Sequence, residues 1–510
     1  MSNFYITTPI YYVNSEPTIG HAYTSISCDI LARYNKLNGK EVYYLSGTDE
    51  HGAKIQKAAN EVSENPKEFT DRISKKFLEL IKFLNCEIND FIRTTEKRHI
   101  ISVQNLWNTL VKNNHIYLGT YEGWYAIRDE CYYQENELIK KNDKYFAPSG
   151  AECEWIKEDS HFFKLSEWQD KLLEYYAANP DAIAPKSRYN EVISFISSGL
   201  KDLSVSRKTV KWGIPVPNCE GFTIFVWLDA LQNYLSALGY PNLNNDLYKK
   251  FWNSSHHIVG KDILRFHAVY WPAFLFAAGL QPPKKIFSHG WWTRDSTKIS
   301  KSLGNTIDPY KLVNNYGLDQ LRYFLFREVP FGQDGDFSEE ALITRVNADL
   351  SNNFGNLVQR ICSFINKNCD SVVENNFDRL NDQDQQLLKL SLEKFENYKL
   401  FFEKQEIDKS IIQVMNLLRE ANVYCDKSAP WVLKKTNPKR MNDVLSLLVD
   451  IIRRSSLMLF PIIPDSVKKI YSILNLDEVE INFDYFDKLQ RSSHKIKTAT
   501  PVFPRIDNIN

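Results

Sequence analysis

The spacing of apolar and polar positions divides the chain into a mixed region and a helical one. The opening, Phe4 to Thr8, is apolar and β-prone and is broken by Pro9 and Pro17. A helical pattern then starts at about Gly20, with Ala22, Ile26, Ile30 and Tyr34 spaced by four, and Asn38-Gly39 stops it. Glu41 to Ser46 reads as the next strand. Strand, turn, helix and strand form a βαβ unit with a right-handed crossover. Residues 53–118 read as helices, with Phe69, Ile73, Phe77, Leu80, Ile81 and Leu84 at helical spacing.

From Gly119 to about Ser206 the character changes, and Tyr, Trp and Glu alternate with short apolar runs. Trp212 to Pro217 returns the chain to the mixed pattern. Phe225 to Ala230 reads as a strand end entering a helix, and His257 to Gly260 and Ile286 to Gly290 read as further strands. Beyond Phe337 the pattern turns wholly helical. Asp336 or Ser338 is placed to cap a helix through Leu342, Val346, Leu350, Phe354, Leu357 and Ile361, and helices follow at about 383–403, 406–426, 438–458 and 464–474. The fold class expected is α/β, a Rossmann-like parallel-sheet domain with a connective insertion, followed by an all-α helical bundle. The boundaries expected are 1–118 and 207–335 for the two halves of the α/β domain, 119–206 for the insertion, and 336–510 for the bundle and tail.

In a parallel sheet of this kind ligands lie beyond the carboxyl ends of the strands, where a helix N-terminus offers free amides to an anion. Gly20 and His21 lie at such a spot. Lys298 and Lys301, in Lys298-Ile299-Ser300-Lys301-Ser302, make a mobile positive clamp suited to a polyphosphate, because each ammonium is a compact charge on a flexible stem. Asn352, Asn356 and Arg360 recur every four residues and so share a helix face.

Composition changes this picture little. With 510 residues the chain exceeds one core and needs two to four domains. Lysine plus arginine and aspartate plus glutamate number 63 each, so a nucleic-acid partner must be held by a local patch. The eight cysteines are scattered without framework spacing, no secretory signal precedes them, and the longest apolar run, around Phe266 to Leu280, is interrupted by His267 and Pro272. A cytoplasmic protein without disulfides and without a membrane partner is expected.

Thr18-Ile19-Gly20-His21 resembles the HIGH signature of class I aminoacyl-tRNA synthetases. Lys298 to Ser302 resembles their KMSKS signature, with Ile299 in place of Met. Gly47-Thr48-Asp49-Glu50-His51-Gly52 and the VWxDA-like Val226 to Ala230 resemble the methionyl branch, and the resemblance covers at least residues 4–461. It implies ATP-dependent activation of L-methionine and transfer to the 3′ adenosine of tRNA(Met), with Mg²⁺ accompanying ATP. It implies catalytic roles for His21, Lys298 and Lys301, and an ATP site formed by these with Thr18, Gly20, Asp262, Gly290 and Ser302. Asp49 is implied to pair with the methionine ammonium, while Ile10, Tyr12, Trp227, Tyr234, Ile263, His267 and Trp271 line its side-chain slot. Asn352, Asn356, Arg360, Pro430 and Trp431 are implied to read a CAU anticodon. Lys434-Lys435 and Lys439-Arg440 lie near Trp431 in sequence and are candidates for phosphate contact.

The chain departs from relatives that carry zinc knuckles in the insertion. Cys131 and Cys153 stand singly, with no cysteine or histidine two or three residues from either, so no zinc is expected. No oligonucleotide-binding appendage follows the tail, and a monomer is expected. Two other readings stay open from the sequence: a class I synthetase for leucine, isoleucine or cysteine, and a non-catalytic tRNA-binding paralogue.

Overall fold

The computed structural model describes residues 2–129, 131–133, 135–294, 297–299, 306–374, 377–489 and 493–507, with the main chain alone at Thr297 and Lys298. The chain folds as two units. One takes residues 3–28 and 42–289; the other takes 29–41 and the chain from 290 onward.

The strands of the first unit include β1 (Asn3–Thr7), β2 (Glu41–Asp49), β3 (Asp90–Arg93), β4 (Ile116–Ala126), β5 (Glu152–Phe163), β6 (Ile183–Ala184), β7 (Ser255–Gly260) and β8 (Lys285–His289). Six of them, with the short strand Tyr11–Tyr12, make a sheet of order β6-β8-β7-β1-β2, with Tyr11–Tyr12 and β3 both on β2. The pairs β1/β7, β7/β8, β6/β8 and β2/β3 are parallel. The chain leaves β1 towards β2 and later returns to β7 on the other side of β1, so the strand order reverses between β1 and β7. In an open parallel sheet that reversal leaves a crevice at the carboxyl ends. Thr7 stands opposite His257 and Tyr12 opposite Asp49 at this end.

Helix α1 (Ile19–Leu37) follows β1, and its Ala22, Ile26, Ile30 and Tyr34 are all buried, as their spacing requires. The all-helical reading of residues 53–118 needs correction. Helices span Ala53–Glu61, Pro66–Phe83 and Lys97–Lys112, but Asp90–Arg93 is a strand and Ile116 begins another. β3 is only four residues long, too short to show a period of two against its neighbours.

The segment after the third of these helices is a long antiparallel hairpin. β4 pairs with β5 from Ile116–Phe163 to Tyr125–Glu154. Two helices that periodicity left unread, Gln169–Ala178 and Lys186–Ser197, flank β6, which joins the main sheet beside β8. The hairpin tip is held by a small apolar cluster of Ala126, Ala147, Ala151 and Cys153, with Trp124, Tyr133, Leu138 and Tyr145 packed on it. Burial pushes the Cys131 thiol up to about 12. Among the described residues no group of three His, Cys, Asp or Glu could hold a metal ion.

In the second unit, Ser338 caps the helix Glu339–Val346 by accepting from the Ala341 amide. The helix runs on through a π segment, Asn347–Gly355, into Asn356–Asn368, so the uniform α pitch expected there is corrected by one wide stretch. The buried side chains stay on one side throughout, from Leu342 to Ile365. Helices Asp382–Glu403, Ile407–Ser428, Pro438–Leu459 and Pro464–Leu474 complete the bundle. Among the described residues, no helix is long and apolar enough to cross a membrane.

Candidate active site

At the amino end of α1 the first-turn amides have no partner within the helix. The Thr18 amide donates to His21 Nδ1 at 2.9 Å. An amide can only donate, so Nδ1 is unprotonated and the ring hydrogen sits on Nε2, where it is a hydrogen-bond donor. Tyr11 and Phe77 pack edge-on against the ring at 5.0 and 5.1 Å and fix its plane. Gly20 is exposed, and a Cβ built there would meet only Thr18 Oγ1 at 3.7 Å. The chain's own packing therefore does not demand glycine at this position. Further along, Thr24 Oγ1 lies 2.9 Å from His289 Nε2 and ties α1 to the carboxyl end of β8.

Asp262 follows β7. A Cβ on Gly260 would stand 2.7 Å from the Asp262 carboxylate oxygen, so that glycine lets the carboxylate fold back over the strand end. Gly290 has a different reason for being glycine: its Cβ position is occupied by Gln333 O at 2.3 Å and the Asp334 amide at 2.6 Å. Main-chain packing alone requires glycine there.

The loop at the end of β2 is clamped from several directions. Asp49 is buried. The fully buried Glu50 accepts from Arg93 through both carboxylate oxygens, at 2.6 and 3.0 Å, and from Thr95 Oγ1 at 2.6 Å. Gly52, with φ 105°, turns the chain out of the loop through a conformation that favours glycine. Sequence reasoning assigned Asp49 and left Glu50 and Arg93 unread. Their signal was a lone arginine in a short segment, which only the β2/β3 pairing brings opposite Thr48.

Five residues expected to line a side-chain slot are brought together. Tyr234 Oη lies 2.7 Å from His267 Nε2, and His267 Nδ1 lies 2.9 Å from Ile263 O. Because a carbonyl can only accept, Nδ1 carries the hydrogen, Nε2 accepts, and Tyr234 donates. Burial pushes His267 down to about 4, so the ring is neutral at physiological pH. Trp227 stacks on Phe266 at 3.7 Å and meets His267 edge-on at 6.4 Å. Trp271 is fully buried, with its ring 6.2 Å from Tyr234. His267 sits in a π turn, Phe266–Tyr270, closed by the Trp271 amide donating to Phe266 O. Ile10 and Tyr12, partly buried, pack against the large apolar cluster that includes Trp227, Tyr234 and Trp271.

Of the lysine clamp, Lys298 ends a two-residue strand paired with Thr293; Lys301 and Ser302 lie outside the described residues.

In the helical unit Asn352 and Asn356 are exposed, and Arg360 is partly buried. The Arg360 guanidinium carbon stands 6.0 Å from the Trp431 ring centroid and the side chain donates to Asp426 at 2.9 Å. Trp431 is 43% exposed, and Pro430, at the start of the helix Pro430–Thr436, is buried. Arg440, partly buried, donates to both carboxylate oxygens of Asp384 and to Tyr424.

Comparison with known proteins shows the family. The family model of class I tRNA synthetases (M) matches residues 4–144 and 141–362, and that of the anticodon-binding domain of methionyl tRNA ligase matches 376–509. A methionine–tRNA ligase of Rickettsia felis is 52% identical over 510 residues, with 99% of each chain covered, and one from Brucella suis is 45% identical over 504 residues. The solved Mycobacterium tuberculosis methionyl-tRNA synthetase in complex with methionyl-adenylate superposes with a TM-score of 0.97 at 40% identity, covering 99% of this chain and 100% of that one. The chain belongs to the methionyl family of class I tRNA synthetases.

Proposed function

We infer that this chain joins methionine to tRNA at the expense of ATP. The methionine carboxylate attacks the α-phosphorus of ATP in line and pyrophosphate leaves; the adenylate then passes its methionyl group to the terminal adenosine of tRNA(Met). No side chain forms a covalent bond. The chain's contribution is to position the reactants and stabilise charge as it develops.

The observation that carries this reading is the Thr18–His21 contact. It puts the imidazole hydrogen on Nε2, at a helix N-terminus beside an exposed glycine, and such a terminus suits phosphate oxygens. Lys298, Lys301 and Ser302 are assigned to the leaving pyrophosphate, Asp262 to a ribose hydroxyl, and Gly290 to the adenine side of the site. Magnesium arrives with the triphosphate and neutralises part of its charge.

For methionine, Asp49 is assigned to the ammonium, because a buried ammonium needs a counter-charge. Trp227, Tyr234, Ile263, His267 and Trp271 form the thioether slot with Ile10 and Tyr12. Sulfur packs well against ring edges, and the Tyr234 hydroxyl hydrogen is already committed to His267, so the slot suits a weakly polar chain. Asn352, Asn356, Arg360, Pro430 and Trp431 are assigned to the anticodon, by stacking on the indole and hydrogen bonding at base edges. The setting proposed is the cytoplasm and the working form a monomer. Incubating the chain with ATP, labelled methionine and unfractionated tRNA tests the reading. Label is expected on tRNA with a CAU anticodon; label on other tRNAs, or on none, contradicts it.

A further inference from the structure

Asp229 lies in the short helix Val226–Leu231, two residues after Trp227, and is fully buried. Its two oxygens go to two histidines from other parts of the first unit. Oδ2 is 2.7 Å from His51 Nδ1, across 178 residues of sequence, and Oδ1 is 2.7 Å from His99 Nε2. Burial alone would raise this carboxyl; His51 and His99 outweigh it and hold it below the usual carboxylate range. A buried charge with two partners in this geometry is costly to assemble and has to be held in place.

The Ser236 hydroxyl donates to the Gln232 carbonyl at 2.9 Å, so its oxygen is the acceptor for His99 Nδ1 at 3.0 Å. Both nitrogens of the fully buried His99 therefore face acceptors, Ser236 on one side and Asp229 on the other. On the far side, Asp229 receives the Nδ1 hydrogen of His51, whose ring also packs edge-on against Trp212 at 5.4 Å.

The carboxylate thus links two pieces of chain that serve opposite ends of one substrate. His51 belongs to the loop that carries Asp49, assigned to the ammonium, and Trp227 belongs to the slot for the thioether. We propose that Asp229 is a positioning residue that sets the distance between the ammonium site and the side-chain slot through His51, and so determines the length of amino acid accepted. This inference rests on the methionine-activating reading above.

The test compares ATP–pyrophosphate exchange by the full chain with methionine and with ethionine, its one-carbon-longer homologue. Asp229→Leu keeps the branched shape of the side chain and removes both bonds. It is expected to raise the KM for methionine by about tenfold or more, leave the KM for ATP within about threefold, and shrink the ratio of kcat/KM between methionine and ethionine by about tenfold. Asp229→Asn keeps an oxygen for His51 and turns its amide to His99 Nε2, which accepts once it gives up its hydrogen; it is expected to restore most of that ratio. His51→Phe keeps the ring against Trp212 and removes only the N–H, and it supplies the same test from the other side if the leucine variant does not fold. An unchanged methionine-to-ethionine ratio in Asp229→Leu or, failing that, in His51→Phe overturns the proposal while leaving the methionine reading intact. Absence of methionine-dependent exchange in the unaltered chain overturns both.

Discussion

The Tyr234 hydroxyl donates to His267 Nε2 at 2.7 Å, and the opposite nitrogen of that ring donates to the Ile263 carbonyl. One proton inventory therefore fixes the polarity of this wall of the proposed methionine slot. Tyr234→Phe leaves a buried imidazole acceptor unsatisfied, at a cost of about 1–3 kcal/mol. The melting temperature is expected to fall accordingly and the methionine KM to rise, with ATP affinity unchanged. Calorimetry and exchange kinetics check both.

The same histidine makes a pH prediction. His267 titrates at about 4 in the folded protein because it is buried, and near 6.5 when unfolded. Between those values the unfolded state binds more protons, so stability falls as pH falls from about 6.5 towards 4. The slope from this group approaches ~1.4 kcal/mol per pH unit, roughly 3 kcal/mol in all. His267→Gln lacks the titration, so its stability, followed by urea unfolding over this range, is expected to fall less steeply than that of the unaltered chain.

In the second unit Arg322 and Asp29 form a fully buried pair at 2.6 Å, and Arg322 also donates to the carbonyls of Pro461 and Ile462. Asp29→Ala strands the guanidinium in the interior and is expected to cost about 3–5 kcal/mol, because a buried charge loses its partner. The urea midpoint of the variant checks this. A loss below about 1 kcal/mol would mean that Arg322 finds another acceptor.

How much of this was legible beforehand follows from where each constraint is encoded. The helices of the bundle were readable because long 3.6-residue patterns such as Leu342 to Ile361 repeat one constraint many times. Gly20, His21 and Asp49 could be placed because each sits within a few residues of the strand or helix end that presents it. Glu50 with Arg93, and Asp229 with His51 and His99, were not readable. Each group is joined only by the stacking order of the sheet or the packing of a six-residue helix, and a single histidine in a helix looks the same whether or not it meets a carboxylate. The π turns at His267 and Asn352 were also hidden, since one wide turn barely disturbs the burial pattern.

Arg360 and Trp431 test the helical unit separately from the chemistry. Stacking of a base on an aromatic ring is worth about 1–3 kcal/mol, so Trp431→Ala is expected to raise the KM for tRNA between about fivefold and a hundredfold. Pyrophosphate exchange without tRNA is expected to be unchanged. Equal loss in both assays would show that the indole supports folding instead of RNA binding.

The most direct measurement is ATP–pyrophosphate exchange with each of the twenty amino acids in turn, followed by the same assay on Lys301→Ala. Stimulation by methionine alone, with the lysine variant slower by several orders of magnitude at near-normal methionine affinity, is the expected result. Exchange driven by another amino acid, or a Lys301→Ala rate within a few-fold of the unaltered chain, would contradict the account.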